Sequence, residues 1–286
     1  MEAYYDVMYA DTPQKIKCMD PCFSTLFGGM GNDNGPLAIA RDETRNKALQ
    51  NSFYVLKLVL LVGYDRKGHE AAFRRSINTQ VESFLNDHGE VETKQKEFLS
   101  NRGRIPKAII DPESYLATLE NLEVAVNSYV KAPLMVLVDE VDRAPMTGLT
   151  SEAEEEEGRR RYNDAVEAMS GLFVWLKGMV GKCGNRYFIT GITPISPTDS
   201  LIFNGVTRLT FDPDFANMLG FTEDEEKAVL EHVARIDPNT PDFERALDVA
   251  RDCFNGYFFA GADEAVYNPQ LVLRYAEMYA EGLLKS

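Results

Sequence analysis

The sequence predicts an α/β fold, a parallel sheet flanked by helices, followed by a smaller helical subdomain. Three observations carry that prediction. Two short and almost wholly apolar runs, Phe53–Val62 and Leu134–Val138, have the composition of strands buried on both faces, as parallel strands are when helices cover the sheet. The stretches around them place apolar residues at helical spacing. Near residue 215 the strand signals stop and only helical patterns follow. Residues 1–214 are therefore read as the α/β domain and 215–286 as a helical subdomain.

Taken in order, residues 1–52 are irregular, with Tyr4, Tyr5, Met8 and Tyr9 spaced for one short packed helix. Gly28–Pro36 is rich in glycine, but no Lys-Ser or Lys-Thr follows the glycines and Pro36 closes the stretch. It reads as a turn-rich connector and not as a phosphate-binding loop, which needs G-x-x-x-x-G-K-[ST] between a strand and a helix. Phe53–Val62 is the first buried strand, bounded by Gly63. Ala71, Phe73, Ile77, Val81, Phe84 and Leu85 predict a helix of four or five turns. Asp87–Asp111 lacks periodicity and reads as an exposed connector. Pro112 is expected to open a helix with Tyr115, Leu119, Leu122, Val126 and Tyr129 on one face.

A loop is expected over Ala144–Ser151, then a helix that begins in a run of glutamates. Glu155–Arg159, Glu156–Arg160 and Glu157–Arg161 stand four apart with the acid first, the favourable order for ion pairs on a solvated helix start. An arginine here reaching a neighbour's ligand is the alternative. Arg186–Thr193 reads as a further strand, and Val206–Phe211 as a fifth, short and alternating element. Thr222 and Glu225 have capping-box spacing and open a helix through Val229 and Val233. A second helix covers about Phe243–Cys253, Gly256–Phe259 is a turn or short strand, and Tyr267-Asn268-Pro269 opens the last helix.

The totals narrow the classes. A net charge of -15 and a pI near 4.7 disfavour general binding to nucleic acid or to an anionic membrane. Cys18, Cys22, Cys183 and Cys253 are too scattered for a disulfide framework or a four-ligand zinc site, which leaves reduced thiols. His69, His88 and His232 are not paired at ligand spacing, so a nucleotide-free metal hydrolase is the weakest class; each reads as an exposed helix or loop residue. The longest apolar run is too short to span a bilayer, and the N-terminus lacks a signal-peptide order. An intracellular, cytoplasmic protein is expected.

Pro133–Arg143, Pro-Leu-Met-Val-Leu-Val-Asp-Glu-Val-Asp-Arg, carries the chemistry. Ligands of parallel sheets sit outside the carboxyl ends of the strands. Asp139 and Glu140 fall where a reaction centre would be. A buried strand ending in a solvated acidic turn is the plain alternative.

Four blocks in order resemble one family, the AAA-ATPase-like domains of the P-loop NTPase superfamily. Val136–Asp142 is similar to its Val-Leu-Ile-Asp-Glu-Tyr-Asp block (Walker B), with Arg143 in place of a lysine, and Phe188-Ile189-Thr190-Gly191-Ile192-Thr193 to its Phe-Ile-Thr-Gly-Val-Ser strand. Gly220–Glu225, and Phe254–Tyr257 with Tyr267–Pro269, resemble its downstream blocks. The resemblance implies a P-loop-type sheet that binds ATP and Mg²⁺. Asp139 would be the magnesium-site carboxylate and Glu140 the residue that activates water. Thr190 or Thr193 would sense the γ-phosphate, Asp142 would support the acidic loop, and Tyr257, Tyr267 and Asn268 would pack and fix loops. The physical need is the placing of charge and water around a phosphate.

The departures matter too. No G-K-S or G-K-T occurs in the sequence, and Met1–Tyr9 resembles the helix that follows the family's phosphate loop. The expected sheet is thus missing its first strand, and ATP hydrolysis by the chain as given is expected to be weak or absent. Val59 stands where relatives often carry an acid. Two hypotheses follow. One is an ATP-binding module with its phosphate loop supplied upstream; the other is a non-enzymatic scaffold for an unidentified protein partner.

Overall fold

The computed structural model describes residues 52–60, 69–149, 155–192, 206–215, 220–259, 262 and 264–284. The expected helix over Tyr4–Tyr9, the glycine-rich stretch 28–36, Cys18, Cys22 and Thr193 lie outside them. The chain divides between residues 204 and 205 into two compact units.

In the first unit the sheet has three strands, β1 (Tyr54–Val59), β2 (Leu134–Asp139) and β3 (Arg186–Ile189), in the order β1-β2-β3 and parallel throughout. This is the α/β class that the apolar runs predict. Period-two alternation divides the side chains between the faces. Leu56, Leu58, Leu134, Val136 and Val138 enter the main core with the helices, whereas Phe53, Val55 and Met135 form a second cluster against Leu137. Both faces of β1 and β2 consequently carry apolar residues, with the exposed Lys57 the exception on β1, which is why these strands read as nearly continuous runs.

Between β1 and β2 the chain forms α1 (His69–Asp87), α2 (Glu90–Ser100) and α3 (Tyr115–Val124), which runs on as a π-helical turn over Ala125–Val130. Helix α1 packs on β1 and α3 through Phe73, Ile77, Val81 and Phe84. The expected connector over Asp87–Asp111 holds a helix instead. Its buried stripe is Val91, Gln95 and Leu99; with a polar residue in the middle position, the period was hidden. Pro112 precedes α3 rather than opening it: Ser114 is the N-cap and accepts from the Ala117 amide at 3.2 Å.

After β2 comes α4 (Arg143–Leu149), where a loop is expected, then α5 (Glu155–Met179). Pro145 is the third residue of α4, inside the first turn, whose amides have no helical acceptor, so proline is tolerated there. At the start of α5, Arg160 and Arg161 both converge on Glu157 at 2.9 Å, which holds its carboxyl down at about 2. Helix α5 packs against α1, α3 and α4. Two of the three histidines correct their reading as exposed residues: His232 is exposed, but His69 and His88 are both buried, and the His88 ring stacks on Phe84 at 4.4 Å. Burial also lowers the His69 pKa, partly offset by Asp164.

A pair of amides holds the amino end of the sheet. Asn185 is fully buried; its Oδ1 accepts from the Leu134 amide at 2.8 Å and from Asn127 Nδ2 at 3.0 Å, while its Nδ2 donates to Asn127 Oδ1 at 2.9 Å. The substitution Asn185→Ala strands a buried β2 amide and is expected to cost about 2–3 kcal/mol in urea unfolding.

The second unit holds α6 (Glu223–His232), α7 (Pro241–Phe254) and α8 (Pro269–Ala280), which pack on one another. The Thr222–Glu225 capping box forms in full. Asn268 caps α8, accepting from the Gln270 and Leu271 amides at 3.0 and 3.2 Å. Residues 206–211 form no strand, correcting the fifth element; their side chains are exposed or half-buried. Among the described residues no helix is long and apolar enough to cross a membrane.

Candidate functional site

Asp139 is the last residue of β2, the central strand, and so stands at the carboxyl rim of the sheet. Two neighbours hold that rim in register. On one side, the Leu60 amide donates to the Asp139 carbonyl at 2.9 Å. On the other, the Thr190 amide donates to the Val138 carbonyl at 2.8 Å and the Val141 amide to the Thr190 carbonyl at 3.1 Å. The β2–β3 pairing thus continues one residue past β3 and brings Thr190 beside Asp139.

There the side chains meet. Thr190 Oγ1 donates to Asp139 Oδ1 at 2.6 Å, and the same oxygen accepts from the Glu140 amide at 2.9 Å. Both bonds engage Oδ1, and among the described residues none engages Oδ2. Asp139 and Thr190 are exposed, Glu140 half-buried. Glu140 has φ +56°, a left-handed conformation costing an L-residue on the order of 1 kcal/mol. The turn it creates carries the chain from β2 into α4, with the Arg143 amide on the Glu140 carbonyl at 3.0 Å.

Asp142 lies under this turn, 5% exposed, its Oδ1 accepting from the Ile192 amide at 3.2 Å. It ties the segment after β3 to the segment after β2 and does not point to solvent beside Asp139. Gly191 makes the approach possible: a Cβ there would sit 2.8 Å from Asp142 Oδ1 and 2.9 Å from Val141 Cγ1. Gly191→Ala should therefore push Thr190 off Asp139 and cost about 1–3 kcal/mol, read as a lower melting temperature. That close approach was not legible in the sequence, although Gly191 stands in the matched block.

Val59 pairs in register with Asp139. Its amide donates to Gln80 Oε1 at 2.6 Å and its carbonyl accepts from Gln80 Nε2 at 3.3 Å. A side-chain amide from α1 therefore replaces a strand partner at this edge. No sequence period marks Gln80 for that task, since it faces the core only through its position on α1.

The structure thus brings together Asp139, Glu140 and Thr190 of the residues singled out from the sequence, with Asp142 beneath them. Two clefts, of about 730 and 580 Å³, lie among the helices away from these residues. The larger is lined by Leu116, Glu123, Val124 and Trp175, and neither is lined by Asp139, Glu140 or Thr190.

A family model described as "Predicted AAA-ATPase" matches residues 23–201, more than half of the chain. The chain belongs to the AAA-ATPase-like family. That match spans β1, β2 and β3 and the whole acidic rim. No curated protein and no solved structure matches the chain.

As to metal, the described residues gather no cluster of three or more His, Cys, Asp or Glu side chains able to hold an ion. The donor set at the rim is one exposed carboxylate and one hydroxyl. That set fits Mg²⁺, which keeps several waters and takes one or two protein oxygens plus phosphate, better than an ion needing an all-protein cage.

Proposed function

We propose that this AAA-ATPase-like chain is an ATP-handling module of the P-loop NTPase type, with its nucleotide at the carboxyl rim of the sheet. What carries the reading is the Asp139–Thr190 contact of 2.6 Å at the end of the central strand. Asp139 would hold the magnesium site, and a bound Mg²⁺ would neutralise charge developing on the transferred phosphoryl group. Glu140, on its left-handed turn, would orient and polarise the attacking water. Thr190, joined to Asp139 through its hydroxyl, would report the γ-phosphate; Thr193 is assigned the same part. Asp142 would keep this loop in shape from below.

The sequence contains no G-K-[ST], so we assign the chain by itself weak or no hydrolysis, with an incomplete first strand and the phosphates held by a loop supplied from elsewhere. The competing reading, a non-enzymatic scaffold for a protein partner, draws on Val59, apolar where it lies in register with Asp139. Calorimetric titration with MgATP separates the two. With a strand and G-x-x-x-x-G-K-[ST] loop joined upstream, magnesium-dependent binding in the micromolar range favours the nucleotide module; no heat from that form with millimolar MgATP sinks it and leaves the scaffold.

A further inference from the structure

Helix α6 buries an acid where its spacing calls for an apolar residue. Glu226 and Leu230, four apart, are the buried positions of this helix, and both are 0% exposed. Among the described residues neither Glu226 Oε1 nor Oε2 has a hydrogen-bond partner. An ionised carboxylate in that position is costly, whereas the neutral acid is tolerated.

The groups around it do not rescue the charge. On α6 itself, Glu223 repels it while Lys227 attracts it; Arg251 on α7 attracts it from a position shared with Glu223, Asp248 and Tyr267. Tyr267, 1% exposed, and Tyr275 on α8, near Cys253, complete the surroundings. Lys227 and Arg251 are committed to exposed pairs with Glu223, at 3.0 and 3.5 Å.

We propose that Glu226 is a proton-controlled latch on the helical unit, which lets α6 close onto α7 and α8 when protonated and opens that packing when ionised. Burial, then Glu223, raises its pKa from 4.5 to about 7. A folded-state value above the unfolded one means that the stabilisation is complete below 4.5 and is lost as the pH rises towards 7. Opening of α6 then increases up to about tenfold per pH unit across that window, on the order of 100-fold in all, and levels off above it. Glu223 runs the other way: Lys227 and Arg251 lower its pKa, so its contribution is lost only in acid below the window. Lys227 and Arg251 have raised values and stay charged throughout; Tyr267 and Tyr275 have raised values and stay neutral.

Hydrogen exchange of the amides of residues 223–232 in the full chain tests this, with rates corrected for intrinsic chemistry between pH 4.5 and 8.5. The wild type should show the rise and the plateau, and Glu226→Gln should remove the slope. An equal slope in both proteins overturns the latch. Should Glu226→Gln fail to fold, Glu226→Leu removes the same proton, and infrared difference spectra of the wild type read the acid directly. Loss of a buried carboxylic-acid band as the pH passes 7 supports the proposal; a band unchanged or absent over that range overturns it.

Discussion

Replacing Asp139 by alanine, in the chain supplied with a phosphate-loop segment, is expected to weaken magnesium-dependent ATP binding by at least about tenfold and to leave the melting temperature unchanged or higher. The carboxylate is exposed and next to Glu140, so in the folded protein it brings like charge together without burial to offset it. Its partners are the Thr190 hydroxyl and the Glu140 amide. Thr190 is exposed, so its hydroxyl turns to water when the acid is removed. The change in stability should therefore stay within about 0.5 kcal/mol. A residue kept for structure would show the reverse, a fall in stability with binding intact. Paired calorimetry and thermal melting of the wild type and Asp139→Ala distinguish these outcomes, and equal MgATP affinity in both proteins would dismiss the rim as a nucleotide site.

The largest expected effect on stability lies in the helical unit. Gly220 has φ +98°, and a Cβ on it would stand 2.4 Å from Val266 Cγ2 and 2.7 Å from Val266 Cβ. The next residue, Phe221, exchanges two backbone bonds with Tyr267, at 3.0 and 2.8 Å, so the strand-like bridge fixes the glycine in place. Gly220→Ala adds a left-handed penalty of about 1–2 kcal/mol to an overlap of about 1–3 kcal/mol. We expect a loss of about 3 kcal/mol, measured by urea unfolding. The two causes separate in a double mutant. With Val266→Ala added, the 2.4 Å clash with Cγ2 is removed while the close approach to Cβ and the backbone penalty remain, so the pair should be less destabilised than the sum of its parts by about 1 kcal/mol. Strict additivity would mean that the Val266 Cγ2 methyl is not what the new methyl meets.

These expectations depend on different kinds of information. The apolar runs of β1 and β2 were visible because apolar side chains pack on both faces of each strand, Lys57 apart, and that leaves a nearly continuous signature in one dimension. The helix caps at Thr222 and Asn268 were visible because a cap is made by residues two or three apart. The adjacent acids Asp139 and Glu140 were visible for the same reason: the end of an apolar run is a local feature.

Helix α2 and helix α4 were not legible. One carries Gln95 in its buried stripe, and the other has a proline in its first turn. The burial of His69 and His88 was equally hidden, since it is decided by what packs over them. Gly191 against Asp142, Gln80 on the edge of β1, and the amide pair of Asn127 and Asn185 join residues far apart in the chain. Composition and spacing, then, determined the fold class, the covered strands and the position of the acids, because each follows from the period of a single element. The tertiary structure alone decided that Thr190 meets Asp139 and that Glu226 is sealed with no hydrogen-bond partner among the described residues. Both depend on the packing of separate elements, a relation that no local period encodes.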